Sequence, residues 1–257
     1  MSGFAPDFAT AEIRVSPNFG PRRGGLPIDM IILHYTGMES GEAAEARLCD
    51  PESEVSSHYL VHEDGRVVQM VRESDRAWHA GRSSWQGVTD INSISIGIEI
   101  VNPGHQFGYK AFPRRQIDAV IALCKDIAQR HPLRPERVLA HSDIAPGRKV
   151  DPGEKFPWKR LYEAGVGHFV AASPVRPGPV MAQGDHGSNV EELQSMLALY
   201  GYGVEITGHY DDQTRIVVEA FQRHFRRRIV DGIADGSTLK TLERLLFFCR
   251  KSLNVKL

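Results

Sequence analysis

An α/β fold with a mixed central β-sheet flanked by helices, followed by a small three-helix domain, is the architecture this sequence predicts. Three observations carry it. Ile28–Tyr35 and Ile94–Val101 are short apolar segments of strand length, the first apolar on both faces as a central strand requires. Arg114–His131 places Ile117, Val120, Ile121, Cys124 and Ile127 on one helical stripe. Beyond a stretch rich in Gly, Ala, Ser and Pro from Ala164 to Gly184, the pattern becomes purely helical.

The bulk numbers fit a soluble globular protein of one large domain, or of one medium and one small domain. The chain has 257 residues, 41% hydrophobic and 25% charged, with a formal net charge of -1. So balanced a charge gives no basic field for nucleic acid. Cys49, Cys124 and Cys249 are widely spaced, which argues against a disulfide framework and against a thiolate metal site; they read as buried small hydrophobes. No apolar run approaches a membrane span. The N-terminus, Met1-Ser-Gly-Phe-Ala-Pro-Asp-Phe, has neither a basic n-region nor an apolar h-region. With unpaired thiols, this leads to the expectation of a cytoplasmic protein, the alternative being the periplasm or cell envelope by a route the sequence does not display. A monomer is expected.

Taken in order, residues 1–27 are rich in Pro and Gly and predict an extended arm on the first domain. Ile28–Tyr35 is the first strand, carrying His34 near its end. Ser40–Leu48 reads as a short helix with Ser40 as N-cap. Ser57–His62 and Arg66–Val71 flank Glu63-Asp64-Gly65, an Asp-Gly hairpin signal. Trp78–Trp85 reads as a loop with two indoles capable of exposure. Ile94–Val101 alternates cleanly, with the isoleucines on one face and Ser95, Gly97 and Glu99 on the other. A carboxylate beside two small residues suits a cleft wall. Pro132 stops the long helix, and Arg137–His141 is the last strand of this domain. The expected division is residues 1–172 as the first domain, 173–182 as linker and 183–257 as the second. In that second domain Val190–Tyr200, Asp211–Arg227 and Asp235–Phe247 read as helices. No internal repeat is visible at periods of about 20–50 residues.

The chemistry concentrates at strand ends. His34 and His141 close two predicted strands, the edge at which open α/β sheets bind ligands. After His141 the turn Ala145-Pro-Gly-Arg-Lys-Val-Asp151 returns a cation, Lys149, and a carboxylate, Asp151. Two imidazoles and a carboxylate with a fourth position open are a catalytic zinc pattern. Glu99 then has the character of a general acid/base and Lys149 that of an oxyanion partner, which together describe amide hydrolysis. Each residue alone has a plainer reading. His34 suits a hydrogen-bonded edge histidine, Asp151 a turn residue before Pro152-Gly153, Glu99 a solvated strand residue, and Lys149 with Arg148 a basic surface loop. His58 and His62 share a strand face as a metal pair would, and a structural histidine is an equal alternative for His58. Arg226-Arg-Arg228 reads as a solvated helix end.

Four blocks in order, Ile32-Leu-His-Tyr-Thr36, Ala77-Trp-His-Ala-Gly81, Ile96-Gly-Ile-Glu-Ile100 and His141-Ser-Asp-Ile-Ala-Pro-Gly-Arg-Lys-Val-Asp-Pro-Gly153, resemble the zinc-dependent N-acetylmuramoyl-L-alanine amidases of the type-2 family. That family shares its fold with the peptidoglycan-recognition proteins. The resemblance covers roughly residues 10–165. It implies zinc on His34, His141 and Asp151, Glu99 as acid/base and Lys149 as stabiliser of the intermediate. The bond cut would be the amide between the lactyl group of N-acetylmuramic acid and L-alanine. It further implies Tyr35, His58, Trp78, His79 and Arg148 as substrate-binding residues, and peptidoglycan or anhydro-muropeptides as partners.

Gly184-Asp-His-Gly187, Val190-Glu-Glu-Leu-Gln194, Thr207-Gly-His-Tyr-Asp211, Ala220-Phe-Gln222 and Val230-Asp-Gly232 resemble the three-helix peptidoglycan-binding module. Compact cytoplasmic amidases of this type usually lack such a module, whereas exported ones usually carry it, so the chain combines features of both. The rival readings are a non-catalytic wall-recognition protein and a zinc peptidase acting within the stem peptide. The complete ligand set disfavours the first. The position of the cut bond separates the second.

Overall fold

A computed structural model describes residues 4–254. The chain forms two compact units, one of Met1–Ser83, Asp90–His141 and Asp151–His168, the other of Ser84–Thr89, Ser142–Val150 and Phe169–Leu257.

The first unit contains eight short strands in its described residues: β1 (Glu12–Ile13), β2 (Phe19–Pro21), β3 (Met30–Tyr35), β4 (Tyr59–Val61), β5 (Val67–Gln69), β6 (Asp75–Ala77), β7 (Ser95–Ile100) and β8 (Val138–Ala140). Six of them form one mixed sheet in the order β1-β5-β4-β7-β3-β8; β2 and β6 pair separately as an antiparallel ribbon. The N-terminal arm therefore contributes strands to both sheets. β3 and β7 occupy the centre, and Met30, Ile31, Ile32, Leu33, Ile96, Ile98 and Ile100 are fully buried. Burial of each such side chain stabilises the fold by about 1.5–3 kcal/mol relative to exposure.

The hairpin signal holds. β4 and β5 pair antiparallel with Tyr59 opposite Gln69 and Val61 opposite Val67. Gly65 takes φ +93° in the turn, and Asp64 Oδ1 accepts from Arg66 N at 2.9 Å. That left-handed geometry is what glycine tolerates without steric cost.

Helix α1 (Gly41–Leu48) opens on Ser40, whose hydroxyl accepts from Ala43 N at 3.1 Å. Ala44 and Leu48 pack with Leu60, Val68, Met70 and Val71. Helix α2 (Arg114–Arg130) buries Ile117, Val120, Leu123, Cys124 and Ile127. Its Gln116 side chain donates to the carbonyls of Val61 and Val101 at 3.1 and 2.8 Å, satisfying acceptors at two strand ends. The far end of α2 is tied down by the buried Glu73 carboxylate, which accepts from Arg130, His131 and Tyr59 at 2.6–2.8 Å. Of the cysteines, Cys124 is buried while Cys49 and Cys249 are half-buried, and none forms a disulfide among the described residues.

A four-residue helix, α3 (His141–Ile144), follows β8, and α4 (Trp158–Glu163) lies near the end of the first unit. The second unit is built on α5 (Ser188–Tyr200), α6 (Asp212–Phe225) and α7 (Gly236–Asn254). Its core holds Leu193, Leu197, Val217, Val218, Phe221, Leu242 and Leu245.

Contrary to the sequence reading, this unit repeats itself. The buried Gln194 accepts from Thr207 N and Gly208 N, both at 2.9 Å, and donates to Thr214 Oγ1 at 2.9 Å. Gln222 accepts from Asp231 N and Gly232 N, both at 2.9 Å, and donates to Thr238 Oγ1 at 3.3 Å. Asp211 and Asp235 then cap the next helices through Thr214 N and Thr238 N. A glutamine clasps a glycine turn twice over, although the intervening residues differ.

Two segments distant in sequence complete this unit. Trp85, one of the two indoles read as capable of exposure, is fully buried, its ring 5.6 Å from that of Tyr200 and 5.0 Å from that of Tyr202. A Cβ at Gly201 would stand 2.5 Å from the Trp85 ring. Asp143 accepts from Tyr202 Oη and bonds His224 Nδ1, each at 2.7 Å, with all three residues buried.

Candidate active site

Strand register creates the site. In the parallel pair β3–β7, His34 lies opposite Glu99; in the pair β3–β8, Leu33 lies opposite Ala140, so that His141 follows directly beside His34. Registered residues of neighbouring strands point to the same face. Glu99, His34 and His141 therefore form one row at the C-terminal edge of the sheet.

Asp151 joins this row from the loop after His141. His34 Nδ1 is 2.9 Å from His141 Nδ1 and 3.2 Å from Asp151 Oδ2, and His141 Nδ1 is 3.0 Å from Asp151 Oδ2. All three residues are buried, at 1%, 3% and 6% exposure. Among the described residues this is the one group of His, Cys, Asp or Glu side chains gathered as a metal-binding set.

The donor chemistry fits a divalent cation. Ligands bonded at about 2.0–2.1 Å in tetrahedral directions lie about 3.3 Å apart, close to the triangle found. His141 Nε2 sits 3.1 Å from the carbonyl oxygen of Ala80, which can only accept. Its ring proton is therefore on Nε2, leaving Nδ1 as a bare lone pair facing the other two donors. For Asp151, burial works to raise the pKa, but His141 and His34 outweigh it and hold the carboxyl well below the ordinary range. The Asp151 side chain is thus a carboxylate.

Around the triangle the other expected residues take distinct places. Glu99 is half-buried beside His34. Tyr35 is half-buried, with its hydroxyl 3.0 Å from His105 Nδ1. Trp78 is half-buried, and its backbone N–H donates to Ser56 Oγ at 2.8 Å. His79 is 8% exposed and lies over Gly97, with Nδ1 3.0 Å from His34 Nε2. Burial, then His34 and His58, keeps its pKa well below the usual histidine value.

His58 has no exposed surface. Its Nδ1 accepts from Gly97 N at 3.0 Å and its Nε2 lies 3.1 Å from Asp75 O. Burial, followed by the charge of Arg22, pushes its pKa down to about 3. Both ring nitrogens are engaged with the protein's own backbone, so the side chain supports the strand and presents no face to a substrate. Arg148 and Lys149 lie on the segment that belongs to the second unit, where Lys149 N donates to Ala145 O at 3.0 Å.

Sequence reasoning missed several neighbours. Tyr109 Oη donates to Pro152 O at 2.7 Å and accepts from Lys155 N at 2.9 Å, clamping the loop that follows Asp151. His105 and Tyr109 rings lie 4.3 Å apart, and His105 Nε2 reaches Glu154 at 3.1 Å. Asn92 Oδ1 accepts from both His79 N and Ala80 N, at 3.1 and 2.8 Å. Lying in loops and single 3-10 turns, these residues carry no periodic signal.

Comparison with known proteins matches this geometry. Residues 24–154 match the family described as N-acetylmuramoyl-L-alanine amidase, and residues 186–242 match a peptidoglycan binding domain. The chain is 39% identical to the N-acetylmuramoyl-L-alanine amidase AmiD of Escherichia coli, over 85% of this chain and 82% of that protein. It is 31% identical to the 1,6-anhydro-N-acetylmuramyl-L-alanine amidase AmpD of Haemophilus influenzae, over 56% of this chain and 86% of that protein. Among solved structures, the complex of E. coli AmiD with anhydro-N-acetylmuramic acid-L-Ala-D-gamma-Glu-L-Lys superposes with a TM-score of 0.73 at 36% identity, covering 91% of this chain and 92% of that one. Pseudomonas aeruginosa AmpDh3 in complex with anhydromuramic pentapeptide gives a TM-score of 0.69 at 32% identity, covering 90% and 94%. With His34, His141 and Asp151 gathered at one sheet edge, the matching fold and identity sustained over most of both chains, this protein belongs to the N-acetylmuramoyl-L-alanine amidase family.

Proposed function

We propose that the protein hydrolyses the amide between the lactyl group of N-acetylmuramic acid, or of its 1,6-anhydro form, and L-alanine of the stem peptide. The observation that carries this is the convergence of His34, His141 and Asp151 within 3.2 Å of one another, with Glu99 in register beside His34. Those three side chains would hold Zn2+, which when bound polarises a carbonyl and makes water a nucleophile near neutral pH.

The chain's own residues supply the rest. Glu99 takes the proton released as water adds to the amide carbon and delivers it to the alanine nitrogen as the C–N bond breaks. Lys149 donates to the oxygen that gains charge in the tetrahedral intermediate. The products are the free lactyl carboxylate and the intact peptide with a free α-amine. Tyr35 and Trp78 contribute half-buried aromatic surface for the sugar or peptide.

The second unit serves as an anchor for wall glycopeptide. The relatives solved with anhydro-muropeptides support soluble anhydro-muropeptide as the substrate class, within peptidoglycan turnover or recycling. Among the described residues no helix is long and apolar enough to cross a membrane. Cysteines outside any disulfide among the described residues favour the reducing cytoplasm.

Digestion of anhydro-muropeptide and of purified sacculi, read by mass spectrometry, tests the proposal. Free sugar acid and full-length stem peptide are expected. Shortened stems still attached to the sugar would replace the amidase with a peptidase. Glu99→Gln is expected to keep zinc and fold while kcat falls by about 10²–10⁴.

A further inference from the structure

The hydrogen bonds around His79 run in one direction. His79 Nδ1 is 3.0 Å from His34 Nε2, and His79 Nε2 is 3.1 Å from Ser95 Oγ. Ser95 Oγ is in turn 2.7 Å from the carbonyl oxygen of Ile91. A backbone carbonyl can only accept, so the Ser95 hydroxyl proton points at Ile91. Ser95 Oγ then accepts from His79 Nε2–H. That leaves His79 Nδ1 without a proton, and it accepts in turn from His34 Nε2–H. The neutral His34 ring therefore keeps its other nitrogen bare, and that nitrogen, Nδ1, faces His141 and Asp151 at 2.9 and 3.2 Å. Reversing any one bond would leave the serine oxygen and the carbonyl oxygen in contact with no proton between them.

The surroundings hold this chain in place. His79 lies against Gly97, where a Cβ would stand 2.5 Å from the ring, so only glycine at that strand position admits the imidazole. Asn92 Oδ1 pins the backbone N–H groups of both His79 and Ala80. The side chain of the first orients His34, and the carbonyl of the second receives His141 Nε2–H at 3.1 Å. One dipeptide thus serves both imidazoles of the triangle. His79 and Ser95 are buried, at 8% and 0% exposure, which leaves the chain shielded from competing water.

We infer that His79 is not a substrate contact but the positioning residue that fixes His34 in its metal-ready tautomer, through an oriented hydrogen-bond chain ending on Ile91 O. The inference rests on the reading of His34, His141 and Asp151 as metal ligands. Partners of this kind typically change metal affinity by about 10–100-fold when removed.

The test measures Zn2+ affinity of the full-length chain by competition with a chromophoric chelator, alongside the visible spectrum of the Co2+-loaded protein. His79→Leu removes the acceptor and is expected to weaken Zn2+ binding by about 10–100-fold. His79→Asn keeps an acceptor oxygen at the place of Nδ1 and is expected to stay within about threefold of wild type, with an unchanged Co2+ spectrum. Ser95→Ala, a small change that should fold whatever His79→Leu does, is expected to weaken binding by about 3–10-fold because the His79 proton is no longer held on Nε2. Wild-type affinity in both His79→Leu and Ser95→Ala would overturn the inference, and so would equal losses in His79→Asn and His79→Leu. A His34→Ala chain that binds zinc as tightly as wild type would instead refute the metal site itself, and the inference would fall with it.

Discussion

Replacing Gly97 by alanine separates the steric argument from backbone preference. Gly97 does not use the left-handed region, so alanine fits its backbone. On conformational entropy alone the change should stabilise a strand by about 0.5–1 kcal/mol. The side chain tells the opposite story. An alanine Cβ would lie 2.5 Å from His79 Cγ and 2.7 Å from its Cδ2 and Nδ1. Comfortable carbon contacts sit at about 3.5–4.0 Å, so the overlap is about 1 Å. β7 is hydrogen-bonded to β4 on one side and β3 on the other and cannot recede. The ring must move, and it is tied at 3.0 Å to His34 and at 3.1 Å to Ser95. Overpacking of this size costs about 1–3 kcal/mol. Urea unfolding of metal-free protein should therefore show a lower midpoint with an unchanged slope, and Zn2+ affinity should fall with it. A Gly97→Ala protein as stable as wild type or more so, with unaltered zinc affinity, would refute the packing and the positioning argument together.

Other outcomes follow from the same structure. Lys149→Met should lower kcat by about 10²–10³ while zinc content stays at the wild-type level, measured by turnover of anhydro-muropeptide and metal analysis. His58 is held to about 3 in the folded chain against an ordinary 6.5, so below pH 6.5 the unfolded chain takes up a proton that the native one refuses. Stability should drop by up to about 1.4 kcal/mol per pH unit on acidification from about 6.5 towards 3, and His58→Asn should remove that part of the slope in urea unfolding of metal-free protein. Parallel pH profiles for the two proteins would contradict this. Trp85→Ala, by emptying a fully buried site in the second unit, should cost that unit about 3–5 kcal/mol in chemical unfolding.

Much of the site was legible in the sequence because it rides on periodic strands. The two-residue alternation put Ser95, Gly97 and Glu99 on one face, and the apolar runs ended at His34 and His141; the register then brought these ends together. Asp151 was legible through the long final block. What the sequence could not show is direction and partnership. In Ala77-Trp-His-Ala-Gly81 nothing tells whether an imidazole turns to solvent or beneath the ligands, because a loop imposes no period on its side chains. Ser95 and Gly97 read as merely small residues, yet one bridges His79 to the carbonyl of Ile91 and the other makes room for a ring.

The three helices of the second unit were legible from their periodicity, but the segments that complete it were not. Trp85 and the Ser142–Val150 segment join it through contacts distant in sequence, and such pairing leaves no local pattern. The two glutamine clasps share their geometry but little of the sequence between their anchoring residues, so the repeat emerges only once Gln194 and Gln222 are seen holding equivalent turns.

The most direct test of the whole account is zinc stoichiometry measured with turnover on the same samples. Wild-type protein should hold one zinc per chain and release intact stem peptide from anhydro-muropeptide. Asp151→Ala should hold none and release none, and chelated wild type should regain its rate when zinc returns. Undiminished hydrolysis by rigorously metal-free protein would contradict the claim that His34, His141 and Asp151 act through one shared cation.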